Sequence, residues 1–140
     1  MPSRPMPQSE LMISRSAGMC LSARRMWLAI SSGPGDLKAI GEVIKEKKIV
    51  IGVIDHHTLQ VERPDQVAAL IREALKHIPA ERLIISSDCG MGREGMSRRH
   101  AFYKMVALVQ GVNVVKKELG LPVTESMAAD PKFSLLRMAQ

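Results

Sequence analysis

Aromatic side chains are almost missing from this chain: Trp27, Tyr103, Phe102 and Phe133 make up 3% of its 140 residues. So few rings leave little to stack on bases, and the Lys and Arg behind the +6 net charge are scattered rather than massed. Nucleic acid is therefore not expected as a partner. Cysteine is equally scarce. Cys20 and Cys89 lie far apart in unlike surroundings, which excludes a disulfide scaffold and suits a reducing, cytoplasmic compartment. No apolar run approaches the roughly 18 residues that span a bilayer, and no secretory signal is expected, so membrane partners are excluded too.

What is present has the balance of one soluble domain, 46% hydrophobic and 24% charged. Residues 1–35 read as a poorly ordered N-terminal arm, broken by Pro2, Pro5, Pro7 and the Gly33-Pro34-Gly35 cluster. Arg4, Arg15, Arg24 and Arg25 against the single acid Glu10 give the arm a composition like that of a transit peptide. No clear amphipathic helix runs through its opening MPSRPMPQSE.

From residue 36 the pattern firms. Asp36 can cap a short helix whose apolar positions Leu37, Ile40, Val43 and Ile44 are expected on one face. Ile49 to Ile54 is β-branched and almost wholly apolar, the mark of a parallel strand buried on both faces. Pro64 suits the first turn of a second helix, with Val67, Leu70, Ile71, Ala74, Leu75 and Ile78 at helical spacing. Leu83, Ile84 and Ile85 form another short buried strand. Beyond it, Ser97 is a candidate N-cap for a longer helix carrying Phe102, Met105, Val106, Val109, Val112, Val115 and Leu119, stopped by Gly120 and Pro122.

This βαβα order over residues 36–122 predicts an α/β fold with a parallel sheet, and residues 123–140 are expected as a tail or short helix. Two strands do not make such a sheet alone. A closed (β/α)8 barrel takes about 250 residues, so the expectation is its C-terminal portion, incomplete in this chain. Open edges and uncovered apolar faces then predict self-association.

Right-handed crossover brings both strands out at one rim, so Asp55-His56-His57-Thr58 should emerge beside Asp88-Cys89-Gly90. Carboxylates, imidazoles and a thiol would meet there. Imidazole and thiolate are zinc ligands, and a zinc site takes about four of them; a His can equally act as a general acid. The plain alternatives are a Cys that packs as a small hydrophobe, a His that closes a strand end, and a second His that is solvated.

The stretch IGVIDHHTLQVERPDQVAALIREALKHIPAERLIISSDCGMGREG, continuing through AFYKMVALVQGVNVVKKELG, resembles the C-terminal catalytic barrel of cobalamin-independent methionine synthases, from Lys48 to about Gly120. In that family a strand ending in a GV-D-x-H-S type motif is followed by a helix, an IPAERL connection and a strand ending in DCG. Here GVIDHHT, Ala80-Glu81-Arg82-Leu83 and Asp88-Cys89-Gly90 stand in those places, with His56 at the variable position. The resemblance implies zinc-dependent transfer of a methyl group from 5-methyltetrahydrofolate, or a related donor, to the thiol of homocysteine, giving methionine; some relatives use other thiols such as coenzyme M. It implies Cys89 as a zinc ligand, His57 as the residue that delivers a proton, Asp55 as its orienting partner and Asp88 in the substrate-binding loop.

The departures matter equally. The family's other zinc ligands, a His-x-Cys pair and a Glu, fall upstream of the matched stretch, and residues 1 to about 33 contain no His-x-Cys. Cys20, in GMCLSARR, has no nearby His and is not expected as a ligand. One Cys cannot hold catalytic zinc, so a truncated, non-catalytic barrel fragment is the alternative expectation. A second alternative is a manganese-dependent phosphoesterase with an Asp-His-His signature. It needs further Asp motifs upstream, where Asp36 is the only Asp.

Overall fold

A computed structural model describes residues 25–29 and 35–135. Three strands, β1 (Arg25–Ala29), β2 (Lys48–Ile54) and β3 (Leu83–Ser87), form one sheet in the order β1-β2-β3, with both pairings parallel. Helix α1 (Gly35–Val43) links the first two, α2 (Pro64–Leu75) the second and third, and α3 (Arg98–Glu118) follows β3. Each parallel step thus has its crossover helix, as parallel pairing requires.

β1 corrects the reading of residues 1–35 as a poorly ordered arm, because residues 25–29 pair in register with β2, Arg25 opposite Lys48 and Ala29 opposite Gly52. Its sequence, RMWLA, has Trp27 as its one strand-favouring side chain, no β-branched residue and too few positions to alternate, so its strand signal is weak. The sheet therefore has three described strands where two were expected. Residues 1–24, Cys20 included, and 30–34 lie outside the described residues.

β2 is buried at six consecutive positions, Ile49 to Ile54, as the central strand of a covered sheet must be. Ile49, Ile51 and Val53 join Leu83 and Ile85 of β3, Val67, Ile71 and Ala74 of α2, and Ala107, Leu108, Val112 and Val115 of α3 in one core. α2 and α3 pack closely. A side chain at Gly111 would meet Val67 Cγ1 at 2.5 Å and the Pro64 carbonyl oxygen at 2.9 Å, so glycine there sets the helix separation. Arg72 and Glu118 tie the exposed side of the same pair, Nε to Oε2 at 2.9 Å.

Two helix starts agree with the chemistry of their first residues. Pro64 opens α2, and the Ser97 hydroxyl caps α3 by accepting from the His100 N–H at 3.2 Å. The apolar faces agree less fully. Leu37 is buried and Ile40 and Ile44 pack against the core, but Val43 is 80% exposed. It lies about 100° around the helix from Ile44, off the stripe. Leu70 and Leu119, expected on buried faces, are also exposed. After α3 the chain makes two single-turn helices, Met127–Ala129 and Pro131–Phe133. The Gln110 side chain holds the second by accepting from the Leu135 N–H at 3.0 Å.

Candidate functional site

The site forms where β2 and β3 end side by side. Their register is regular from Ile49↔Leu83 to Gly52↔Ser86 and then shifts, so that Ile54 pairs with Ser87 and Val53 is the extra residue of a bulge. A bulge at a strand end turns the backbone and re-aims the side chains beyond it. The turn is tight. A Cβ on Gly52 would lie 2.5 Å from Asp88 Cα and 2.7 Å from its nitrogen, so β3 can close on β2 only over a glycine. The Asp88 N–H extends the ladder by one bond, donating to the Ile54 carbonyl at 3.1 Å.

Asp88 then bridges the two loops. Its Oδ1 accepts from the His56 N–H at 3.0 Å and from the Cys89 N–H at 2.7 Å, and its Oδ2 lies 3.1 Å from His56 Nδ1. Asp55 works within its own loop: its Oδ1 accepts from the His57 N–H at 2.7 Å and lies 3.0 Å from His57 Nδ1. That backbone N–H, and then the imidazole, hold the Asp55 carboxyl below the usual carboxylate range. It is ionised at neutral pH and can only accept, so His57 Nδ1 carries the proton of this bond. The two rings lean together, centroids 3.9 Å apart.

Asp55, His56, His57 and Asp88 each offer a ligand atom within 4.8 Å of the others, a group that could hold a metal ion. Its two nitrogens and two oxygens suit a borderline divalent cation. Cys89 is outside this group, and its thiol is exposed. Of the four expected site residues, three carboxylate or imidazole groups converge, Asp55, His57 and Asp88, while Cys89 stands beside them on the same loop as Asp88. Asp88, expected to bind substrate, has both oxygens engaged by the protein itself.

Three residues of the site carry no motif. His56, at the position read as variable, is the main partner of Asp88 and only 20% exposed. Arg93, from the Gly-rich loop after β3, donates to the carbonyls of His56 (3.1 Å) and His57, closing the third side. Lys104, fully buried on α3, reaches back to the β2 loop. A signal for it exists: Lys104 shares a helical stripe with Leu108, Gly111 and Val115, where a charge needs a partner. No helix among the described residues is long and apolar enough to cross a membrane.

Comparison with known proteins agrees with this geometry. The family model described as the catalytic domain of cobalamin-independent synthase matches residues 23–111, a span that takes in β1 as well as both loops. A methionine synthase of Thermococcus kodakarensis is 40% identical over 76 residues, 54% of this chain and 22% of that protein. One of Saccharolobus solfataricus is 39% identical over 74 residues, 53% of this chain and 22% of that protein. The chain thus matches about a fifth of the length of these relatives. Among solved structures, a B12-independent methionine synthase from Shewanella sp. W3-18-1, in complex with selenomethionine, is 30% identical with a TM-score of 0.61. The match covers 69% of this chain and 27% of that one. Three parallel strands with their crossover helices, two loops meeting at the carboxyl end of the sheet and a matching family model together identify a part of a TIM (β/α)8 barrel, and the chain belongs to the cobalamin-independent methionine synthase family.

Proposed function

We propose that this rim serves methyl transfer from 5-methyltetrahydrofolate, or a related donor, to the thiol of homocysteine or a related thiol, giving methionine in the homocysteine case. In that reaction the sulfur, having given up its proton, attacks the methyl carbon; the carbon–nitrogen bond breaks, and the donor nitrogen keeps the electron pair and takes a proton. His57 is the residue that supplies the proton: its open ring nitrogen takes up the proton given up by the thiol, which leaves the ring doubly protonated, and passes it to the donor nitrogen. Asp55 fixes its ring through Nδ1, and the 74% exposed side chain leaves the other ring nitrogen open to the mouth. Asp88 shapes the substrate loop by fixing the backbones on either side of it. The single observation that carries the reading is this shared carboxylate, bonded to His56 of one strand tip and Cys89 of the other.

Zinc is the cofactor of this reading, with Cys89 as a ligand in a cytoplasmic, reducing setting. The described residues do not complete its shell. A catalytic zinc takes about three protein ligands, and here one exposed thiol stands apart from a nitrogen and oxygen group whose imidazoles already pair with carboxylates. The remaining ligands must come from outside the described residues. That shortfall favours a second reading, a barrel piece that is non-catalytic by itself.

Zinc analysis of the purified chain, with a methionine assay on homocysteine and 5-methyltetrahydrofolate, separates the two. Methyl transfer predicts stoichiometric zinc and methionine, both lost in Cys89→Ser, and a rate loss of about 10²–10⁴ in His57→Asn with zinc kept. A chain that retains no zinc and makes no methionine is the non-catalytic piece.

A further inference from the structure

Lys104 is 0% exposed, and its ammonium spends all three donors on one loop: the Asp55 carbonyl at 2.9 Å, the Gln60 carbonyl at 2.7 Å and Glu62 Oε1 at 2.8 Å. The same Glu62 oxygen accepts the Asp55 N–H at 3.0 Å, so both backbone groups of Asp55 are held by this pair of a buried Lys and a half-buried Glu. Glu62 Oε2 is buried with no hydrogen-bond partner, so the carboxylate is placed for Lys104 and Asp55 at the expense of its own second oxygen. A pair kept only for stability gains little over apolar side chains of similar volume. Gathering two carbonyls five residues apart and a carboxylate on one point is something only an ammonium in this place does.

We propose that Lys104 is a positioning residue of the site: from α3, through Glu62 and the Asp55 and Gln60 carbonyls, it fixes the loop after β2 so that the Asp55 carboxylate meets His57 Nδ1. This rests on the reading of Asp55 and His57 as the proton-delivering pair. Nothing else described ties both ends of the Asp55–Glu62 loop to a helix, and α3 is anchored in the core through Leu108, Val112 and Val115. The rim thereby inherits the rigidity of the core.

The test is the tautomer of His57, read from imidazole ¹⁵N shifts of the ¹⁵N-histidine-labelled chain at a pH where the rings are neutral, with the signal assigned by its loss in His57→Asn. In the native chain His57 should show one tautomer, protonated at Nδ1. In Lys104→Met the pattern should shift to that of a freely averaging ring while His77 and His100 stay unchanged, and the melting temperature should fall because the half-buried Glu62 carboxylate loses its cation. In Lys104→Met with Glu62→Gln the melting temperature should return most of the way and the averaged pattern should persist. A folded Lys104→Met chain with the native tautomer overturns the proposal, and so does a double variant that regains the native pattern along with its stability. If Lys104→Met alone does not fold, the double variant decides. Neither measurement needs zinc, homocysteine or a methyl donor. Failure of the methyl-transfer reading would therefore leave the spectra as stated, and failure of this proposal would leave methionine formation untouched.

Discussion

Asp88 and His56 meet twice across the boundary between two strands: the carboxylate takes the His56 N–H at 3.0 Å on one oxygen and faces His56 Nδ1 at 3.1 Å with the other. One side chain thus joins loops 32 residues apart, and it also accepts the Cys89 N–H, so the Cys89 backbone and the His56 ring are held in a common frame.

Asp88→Ala removes the acceptor of two backbone N–H groups at a side chain only 15% exposed. The loss expected is about 2 kcal/mol in urea unfolding, within the range for partly buried hydrogen bonds to a charged group. Asp88→Asn keeps one oxygen and should cost about half as much. Hydrogen exchange supplies the local check: the His56 and Cys89 amides should accelerate together in Asp88→Ala, and acceleration of only one would mean that the two loops are held separately.

Gly52 is the second point of closure. Gly52→Ala drives a methyl into the Asp88 backbone, with 2.5 Å to Cα, and backbone cannot step aside as a side chain can. A destabilisation of about 1–3 kcal/mol is expected, with the rim opened rather than the core. Gly92→Ala is the matched control, since nothing lies within 4 Å of its added carbon. It should stay within about 0.5 kcal/mol of the native chain by thermal melting.

The sequence carried the parts of this fold that depend on long periodic signals. β2 is legible because six adjacent apolar residues admit no other use, and α2 and α3 because Pro64 and Ser97 mark their starts. β1 is not, since RMWLA carries one strand-favouring side chain, Trp27, and no β-branched one, and its place in the sheet shows only in its pairing with β2. At the site, the meeting of the Asp55-His56-His57 tip with Asp88 is what two neighbouring parallel strands predict, whereas Cys89 stands outside that group. Arg93 and Glu62 are not legible, and Lys104 shows only as a charge on the buried stripe of α3 with its partners unnamed, because those partners are backbone carbonyls and a carboxylate brought close by folding. Val43 failed for a smaller reason: a helix of nine residues has room for one narrow stripe, and a neighbour in sequence is a quarter-turn away in space.

A second buried ammonium gives a pH signature. Lys116 is 4% exposed, donates to Thr124 Oγ1 at 2.9 Å, and burial pushes its pKa below that of an ordinary Lys. Below the folded pKa both states hold the proton, so the cost of burying the charge is constant. Between the folded pKa and the ordinary Lys value the unfolded chain binds more protons, and stability must rise with pH. Urea melts in the alkaline range should show that rise in the native chain. Lys116→Met, which has no proton to release, should lack it; an equal rise in both would place the titrating group elsewhere.

The sheet itself supplies the last prediction. In the order β1-β2-β3 each outer strand pairs on one side only, and among the described residues no strand covers the free edge of either. A free edge presents a row of unpaired N–H and C=O groups, which natural sheets protect with charge, proline or a covering element. β3 reads LIISS and has no charged residue or proline of its own. The expected outcome is association that depends on concentration, read as a rise in weight-average mass in sedimentation velocity across a dilution series. Because such pairing is made by backbone hydrogen bonds and apolar contact, added salt should not reverse it, whereas an association driven by the net charge of the chain would weaken as screening increases. A mass that stays at that of one chain throughout the series would mean that these edges are covered in solution.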